Sequence, residues 1–156
     1  MSALQRDLMR LAPMHPAHLP AVLDIERRAY SHPWTEAIFA DCLRVGYSSW
    51  VLSDTLGDVM GYALMSMAVG EAHILNLCVD PEMQGRGLGR FLLGHLLAVA
   101  RAAQVELVLL EVRVSNAAAI RLYDTAGFRE IGTRHGYYPL GKGREDALVL
   151  ALDLNV

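Results

Sequence analysis

The residues whose spacing most clearly favours chemistry form the loop Gln84-Gly85-Arg86-Gly87-Leu88-Gly89, between an expected strand and an expected helix. Glycines allow backbone N–H groups to turn inward and approach a ligand closely. At the first turn of a helix those donors lack partners and the helix dipole is positive, which favours a phosphate. Arg86 and Arg90 add positive charge. The loop therefore predicts an anion site, and the alternative is a glycine-rich connector that binds nothing.

Two common nucleotide-binding loops fit this segment less well. A P-loop ends in Gly-Lys-Ser or Gly-Lys-Thr, whereas Gly89 is followed by Arg90. A dinucleotide-binding loop is a closer rival, because an acidic residue lies at a suitable distance downstream. Its third glycine, however, falls on Arg90, and Asp80–Gln84 separates the expected strand from the first glycine. A phosphate site of another kind is therefore favoured.

Glu111 is a carboxylate inside the apolar run Leu107–Val112. Burying a carboxylate is costly unless it is paired or lies in a cleft. A carboxylate in a cleft with restricted solvation can act as a general base. The alternative is a salt bridge with Arg113 or another arginine, and spacing alone does not decide between the two.

Asn116 and Tyr123 lie at the start and on the body of an expected helix. Asn116 can cap that helix or meet a ligand carbonyl. Tyr123 follows seven residues later, so the two side chains share roughly one helical face. A phenol in that place can donate a proton to a leaving group. The alternative for Tyr123 is ordinary packing in the core or at the surface.

Hydrophobic periodicity and turn residues predict the elements that must position these residues, in the order β-α-α-β-β-β-α-β-α-β-β. This order predicts an α/β (α+β) fold with a mixed, mostly antiparallel sheet of about six to seven strands and helices on both faces. The run Leu107–Val112 is expected to be buried on both faces. The helix after Thr35 is expected to turn Ile38, Phe39, Cys42 and Leu43 inward. The expected strands are Asp7–Leu11, Ser49–Leu52, Val59–Val69, Ala72–Val79, Leu107–Val112, Phe128–Tyr137 and Asp146–Leu152, with a turn at Gly141–Arg144, and the expected helices are Leu19–Tyr30, a segment after Thr35, Leu88–Gln104 and a segment from Ser115 or Asn116 to Ala126.

Composition narrows the class of protein further. The chain has 156 residues and a hydrophobic content of 53%, which fits a single folded domain over residues 1–156. A net charge of −3 gives no footprint for nucleic acid, and no apolar run is long enough for a membrane span. Cys42 and Cys78 lie in apolar stretches and are expected to be reduced, in a cytoplasmic setting. No cluster of ligand-type residues has metal spacing, so no metal is expected.

Together these residues resemble the GNAT family of N-acetyltransferases. Gln84-x-x-Gly87-x-Gly89 matches the family's acetyl-CoA loop motif, and the resemblance covers nearly the whole chain. Other stretches resemble, within that family, the bacterial branch that acetylates the N-terminal alanine of a small-subunit ribosomal protein. These stretches are Leu110-Glu111-Val112-Arg113, Ser115-Asn116-Ala117-Ala118-Ala119, Leu122-Tyr123, Tyr137-Tyr138-Pro139 and Gly143-Arg144-Glu145-Asp146-Ala147.

The resemblance implies that acetyl-CoA is the cosubstrate and that a protein N-terminal amine attacks it directly in a ternary complex. It implies that Glu111 accepts a proton from the substrate ammonium and that Tyr123 donates one to the departing CoA thiolate. It further implies contacts with the cofactor from Leu77, Cys78, Val79, Gly85, Arg86, Gly87, Leu88, Gly89, Arg90 and Asn116.

The acceptor is less well defined than the cofactor. Four aromatic residues, Tyr30, Trp34, Tyr137 and Tyr138, are candidates for a groove that binds the N-terminus of a ribosomal protein, and ordinary packing is the alternative for each. Two other functions remain open: the same fold acting on lysine side chains or a small-molecule amine, and a non-catalytic CoA-binding module. The sequence does not give the oligomeric state.

Overall fold

The computed structural model describes residues 8–155, which contain the expected order of elements. The strands are β1 (Met9–Pro13), β2 (Ser48–Asp54), β3 (Val59–Ala68), β4 (Glu71–Val79), β5 (Leu107–Arg113), β6 (Arg129–Leu140) and β7 (Gly143–Asp153). The helices are α1 (Leu19–Ala29), α2 (Glu36–Arg44), α3 (Leu88–Ala102) and α4 (Ala117–Thr125), with 3₁₀ turns at Pro16–His18 and Pro81–Met83. Asp7, where the first strand is expected to begin, lies outside the described residues.

The strands form one seven-stranded sheet in the order β1-β2-β3-β4-β5-β7-β6. The pairs β1–β2, β2–β3, β5–β7 and β6–β7 are antiparallel, and β4–β5 is parallel. The sheet is therefore mixed and mostly antiparallel, as the order of elements predicts. No helix among residues 8–155 is long and apolar enough to cross a membrane.

The chain folds into two compact units. One unit contains the described residues up to Ser66 together with Asn76–Ala98, and Phe39 and Tyr62 are fully buried in it with their rings 5.8 Å apart. The other contains Met67–Leu75 and the residues from Val99 onward, with a core of small and branched side chains from β5, β7 and the end of α3. Its most buried members include Ala100, Val108, Leu110, Ala147 and Ala151.

The helix ends follow local chemistry that the sequence shows. Pro20 lies in the first turn of α1, where its missing N–H costs nothing. Thr35 caps α2 by accepting a hydrogen bond from the backbone N–H of Ile38, and Asn116 caps α4 in the same way. Gly127 follows the end of α4 with φ +101°, a left-handed conformation that glycine adopts without strain.

Three expectations about the elements are wrong. β5 is not buried on both faces, because its burial alternates: Val108 and its alternate neighbours are buried, and the face that carries Glu111 is half-buried. β6 and β7 extend further than expected, so the turn between them shrinks to the residues around Gly141. Ile38 does not point into the core with Phe39, because its side chain is 42% exposed.

Candidate functional site

The glycine-rich loop is anchored by an ion pair at the end of β4. Arg28 of α1 donates two hydrogen bonds of 2.9 Å to the carboxylate of Asp80. This guanidinium holds the pKa of Asp80 below its ordinary value. The same carboxylate accepts from the backbone N–H of Glu82 at 2.9 Å, which caps the 3₁₀ turn Pro81–Met83. Asp80, which precedes the loop, is therefore held by hydrogen bonds on two sides.

The loop itself has the backbone that its glycines are expected to allow. Gly85 and Gly87 have φ values of +79° and +81°, in the left-handed region. α3 begins immediately afterwards at Leu88, whose side chain is buried, while Arg86 and Arg90 are exposed. Exposed backbone donors, a helix N-terminus and two cations thus lie together, which is an arrangement that suits a phosphate.

The C-terminal half of β4 carries the other predicted cofactor contacts, Leu77, Cys78 and Val79. Cys78 is 4% exposed, and burial raises the pKa of its thiol to about 11. A thiol with such a pKa stays protonated at neutral pH, so Cys78 is suited to packing rather than to nucleophilic attack. The hydroxyl of Tyr30 donates to the carbonyl oxygen of Leu77 at 3.4 Å, so this acceptor candidate lies beside the same strand.

Trp34 is held by a buried carboxylate that is not among the residues predicted from the sequence. Glu26 of α1 is 2% exposed, and it accepts hydrogen bonds from three donors. These are the hydroxyl of Tyr62 at 2.7 Å, the amide of Asn76 at 2.9 Å and the backbone N–H of Trp34 at 2.9 Å. The Trp34 ring packs against a core phenylalanine, 5.2 Å between centroids. Glu26 therefore fixes the connection between α1 and α2 to the body of this unit.

In the other unit, the predicted base Glu111 has two partners, and neither is Arg113. Its side chain is 11% exposed. One carboxylate oxygen lies 2.5 Å from Nε2 of His73 on β4, and the other lies 3.4 Å from the guanidinium of Arg134 on β6. Glu111 thus forms a salt bridge with an arginine, which is the alternative to a general base in the sequence analysis, and a histidine is an additional partner. A paired carboxylate at a half-buried position can still accept a proton from an amine.

Arg113 instead connects three stretches of the resemblance. Its guanidinium lies 3.1 Å from the carboxylate of Glu145, donates to the carbonyl oxygen of Pro139 at 3.0 Å, and lies 4.4 Å from the ring centroid of Tyr138. Glu145 also accepts from the backbone N–H of Ser115 at 3.2 Å. The hairpin β6–β7 is therefore tied to the end of β5 by one cation.

Asn116 and Tyr123 are placed on α4 as expected. The side chain of Asn116 accepts from the backbone N–H of Ala119 at 3.1 Å, so the capping function is confirmed. Tyr123 is 6% exposed, and its ring meets Phe128 edge to face at 5.5 Å. Its role as a proton donor stays a prediction.

The two remaining aromatic candidates, Tyr137 and Tyr138, pack against each other, and Tyr137 lies next to Arg134, one partner of Glu111. Their rings are 4.9 Å apart, and Arg134 lies 5.1 Å from the ring centroid of Tyr137. Burial raises the pKa of Tyr138 to about 12, so its hydroxyl keeps its proton. Tyr137 is 42% exposed and therefore accessible to a ligand.

The sequence predicts no site role for His73, Arg134 or Glu26. His73 stands opposite Leu109 in the parallel pairing of β4 and β5, and only that pairing brings its ring to Glu111. Glu26 carried a signal, since it is an acidic residue on the buried face of an amphipathic helix. Within residues 8–155, no group of three or more His, Cys, Asp or Glu side chains is arranged to hold a metal ion.

Comparison with known proteins identifies the family to which this chain belongs. The model of the acetyltransferase (GNAT) family matches residues 19–128, and the chain belongs to this family. It is 42% identical over 138 residues, 88% of this chain and 93% of the relative, to the ribosomal protein bS18-alanine N-acetyltransferase of Escherichia coli.

Solved structures agree with this membership. The crystal structure of the Escherichia coli ribosomal-protein-alanine N-acetyltransferase has a TM-score of 0.87 at 40% identity and covers 93% of both chains. A structure of Arabidopsis thaliana NAA60 in complex with acetyl-CoA has a TM-score of 0.84, covers 95% of this chain and 99% of its own, and shares the fold at 20% identity.

Proposed function

We propose that this chain transfers the acetyl group of acetyl-CoA to the N-terminal alanine of ribosomal protein bS18. The observation that carries the proposal is the half-buried Glu111 carboxylate, held by His73 and Arg134 within a chain 42% identical to enzymes of that activity. The reaction class follows from the family, and the acceptor follows from the relatives.

The chemistry requires only a modest base. An N-terminal ammonium has a pKa of about 8, so a small part of it is already neutral at physiological pH. In the proposed mechanism Glu111 accepts a proton from that amine, and the neutral nitrogen attacks the thioester carbonyl carbon. The C–S bond then breaks, Tyr123 donates its phenolic proton to the leaving thiolate, and the second proton of the attacking nitrogen restores the phenol as the amide forms. A backbone N–H near Val79 is proposed to stabilise the oxyanion that forms in between.

The glycine-rich loop fits the pyrophosphate of CoA. Gly85 and Gly87 open the backbone, and Arg86 and Arg90 are exposed beside the start of α3. We assign the loop residues 85–90 to the pyrophosphate, residues 77–79 to the acetyl and pantetheine part, and Asn116 to the pantetheine arm. The Oδ1 atom of Asn116 caps α4, so we propose that its contact with the arm uses the amide N–H₂ group.

The acceptor is proposed to be a flexible N-terminal peptide. Tyr137 is an exposed aromatic residue near the partner of Glu111, and Tyr138 is fixed by Arg113. In the other unit, Tyr30 and Trp34 are fixed by Leu77 and Glu26. Rigid aromatic side chains bind peptides at a low cost in conformational entropy. These four residues are therefore our candidates for acceptor contacts.

The test is acetylation of short peptides that begin with Ala-Arg, with mass spectrometry to locate the added group. We expect the acetyl group on the α-amine. Glu111→Gln should lower kcat by about 10²–10⁴-fold with little change in the KM for acetyl-CoA, because only proton acceptance is lost. Tyr123→Phe should also lower kcat. Glu130→Gln, at an exposed position on β6, is the matched control and should leave kcat unchanged.

The same assay separates the alternatives. A peptide that is not acetylated at its α-amine, or a preference for lysine side chains or small-molecule amines, would reject the proposed acceptor while keeping the reaction class. If Glu111→Gln retained full activity, the proposed base would be wrong. Binding of CoA without any acetyl transfer would instead indicate a non-catalytic module.

A further inference from the structure

His73 is the closest partner of the predicted base. Its Nε2 atom lies 2.5 Å from one oxygen of Glu111. The contact arises from the sheet, because His73 on β4 stands opposite Leu109 on β5 and Glu111 is the next residue on the same face of that strand. The His73 side chain is 39% exposed, whereas that of Glu111 is 11% exposed. The imidazole thus contacts both the carboxylate and solvent.

The two oxygens of Glu111 have partners with different chemistry. Arg134 lies 3.4 Å from one oxygen, and a guanidinium can donate hydrogen bonds but cannot accept a proton. The imidazole on the other oxygen can do both. Other charged or titratable groups nearby include Tyr137 and Tyr138 from β6, and the pair of Arg113 from β5 with Glu145 from β7. Arg113 is already paired, so His73 is the partner suited to receive a proton.

We propose that His73 is a positioning residue for Glu111 that also carries the proton from Glu111 to water. This inference rests on the proposed function. Glu111 takes the proton as the N–H bond of the acceptor ammonium breaks. Before this step the Nε2–H group of His73 donates to the carboxylate, and once Glu111 is neutral the exposed ring exchanges protons with water to give its Nδ1–H form. The O–H bond on Glu111 then breaks as an N–H bond forms on the freed Nε2, and Nδ1 releases its proton to water. Glu111 returns to its carboxylate form, and no oxidant or other reactant is consumed.

A relay has a physical reason at this position. The carboxyl of Glu111 is largely shielded, and Arg134 cannot take its proton. Without an acceptor in contact, the protonated base must wait for water to reach it before the next turnover. A histidine that bridges a shielded carboxylate and solvent shortens this step.

Two substitutions separate positioning from proton transfer. His73→Gln keeps an N–H donor for the Glu111 carboxylate but cannot take a proton, and His73→Ala removes both properties. We expect each to lower kcat for an Ala-Arg peptide by at least about tenfold, with the KM of peptide and acetyl-CoA within about twofold of the unsubstituted protein. Added imidazole should raise kcat of His73→Ala and not of the unsubstituted protein. His135→Gln, which changes an exposed histidine paired with Asp146, is the matched control.

Specific results would contradict the proton relay or the pairing of His73 with Glu111. A purely structural pairing predicts that His73→Gln retains normal kcat and that imidazole has no effect on His73→Ala, and either result would overturn the relay. The pairing itself is measured without a substrate, from the ¹⁵N signal of the His73 ring, which should move in Glu111→Gln and stay in place in Glu130→Gln. An unchanged signal rejects the pairing. Absence of turnover by the unsubstituted protein counts against the proposed function, and the ¹⁵N signal still decides the pairing.

Discussion

At the scale of single residues, the stretches that carry the family resemblance become one physical cluster. Arg113 contacts the Glu145 carboxylate, the Pro139 carbonyl oxygen and the Tyr138 ring, so these separate positions depend on one guanidinium. Its planar group with several donors suits this combination, and a lysine could not reproduce it. These positions belong to three separate patterns in the sequence, and only the pairing of β5, β6 and β7 shows why they occur together.

Replacing Arg113 should destabilise the protein. In Arg113→Leu the Glu145 side chain, which is 6% exposed, loses its cation, and Tyr138 loses one of its packing partners. We expect the midpoint of thermal unfolding, measured by circular dichroism, to fall by several degrees. Arg113→Leu combined with Glu145→Gln should recover part of the loss, because the uncompensated charge is gone. Arg129→Leu, at an exposed position, is the control, and an equal loss there would contradict the explanation.

A second prediction concerns the buried carboxylate of Glu26. Tyr62→Phe removes the hydroxyl that lies 2.7 Å from it and leaves the ring packing against Phe39 in place. Loss of one hydrogen bond to a buried carboxyl group should lower the free energy of unfolding by about 1–3 kcal/mol. Urea denaturation measures this change. Tyr47→Phe, at an exposed tyrosine, should change stability little, and a neutral Tyr62→Phe would show that the hydrogen bond contributes nothing.

At the scale of elements, helices are predicted more accurately than strands. Helix ends depend on local residues, such as Thr35, Asn116 and Gly127, whose effects are visible in the sequence. Strand ends and faces depend on partners that are distant in the chain. The run Leu107–Val112 is apolar enough to suggest burial on both faces, yet the face with Glu111 is half-buried and meets polar partners. β6 and β7 lengthen because they pair with each other along most of their length.

The glycine at position 61 in β3 is required for a steric reason, which only the folded unit shows. A Cβ atom at Gly61 of β3 would lie 2.9 Å from the carbonyl oxygen of Cys78 and 3.1 Å from the Leu92 side chain. Gly61→Ala should therefore force β3 away from these neighbours and cost about 1–3 kcal/mol of unfolding free energy. The shift would also displace the backbone of β4 beside the predicted cofactor residues.

The matched control for this prediction is Gly94→Ala. Gly94 lies inside α3, and a Cβ atom there would meet nothing within 4 Å. Alanine favours a helix over glycine by about 0.8–1.0 kcal/mol, so this variant should be more stable than the unsubstituted protein. Urea denaturation of both variants measures whether the free energy of unfolding falls or rises in each. If Gly61→Ala were as stable as Gly94→Ala, close packing at β3 would not be the reason for its glycine.

At the scale of the whole molecule, the fold class, the order of elements and membership of the family are all predictable from the sequence. The ion pairs that individual carboxylates form cannot be predicted from the sequence, because each pair joins elements far apart in the chain. Asp80 meets Arg28, Glu111 meets His73 and Arg134, and Glu145 meets Arg113. Both units therefore contain acidic groups whose pairing should make the folded state sensitive to acid.

We expect the free energy of unfolding to decrease as the pH falls through the acid range. The pKa of Asp80 is lowered by Arg28, that of Glu145 by hydrogen bonding to Ser115 and by Arg113, and that of Asp146 by the backbone N–H of Gly136. A carboxyl whose pKa is lower in the folded than in the unfolded state binds protons more readily when unfolded. Its contribution to stability is present above the unfolded pKa, 3.8 for aspartate and 4.5 for glutamate, and is lost as pH falls through the folded pKa.

Urea denaturation between about pH 7 and pH 3 measures this dependence. The free energy of unfolding should change little near neutrality and fall below about pH 4.5, where these carboxyls begin to bind protons in the unfolded state. Asp80→Asn should be less stable than the unsubstituted protein at neutral pH, since Arg28 loses its carboxylate partner. The gap between the two should narrow as pH falls, because protonation removes the same charge from the unsubstituted protein. A gap that stays constant over this range would show that the Arg28 pair does not set the acid dependence.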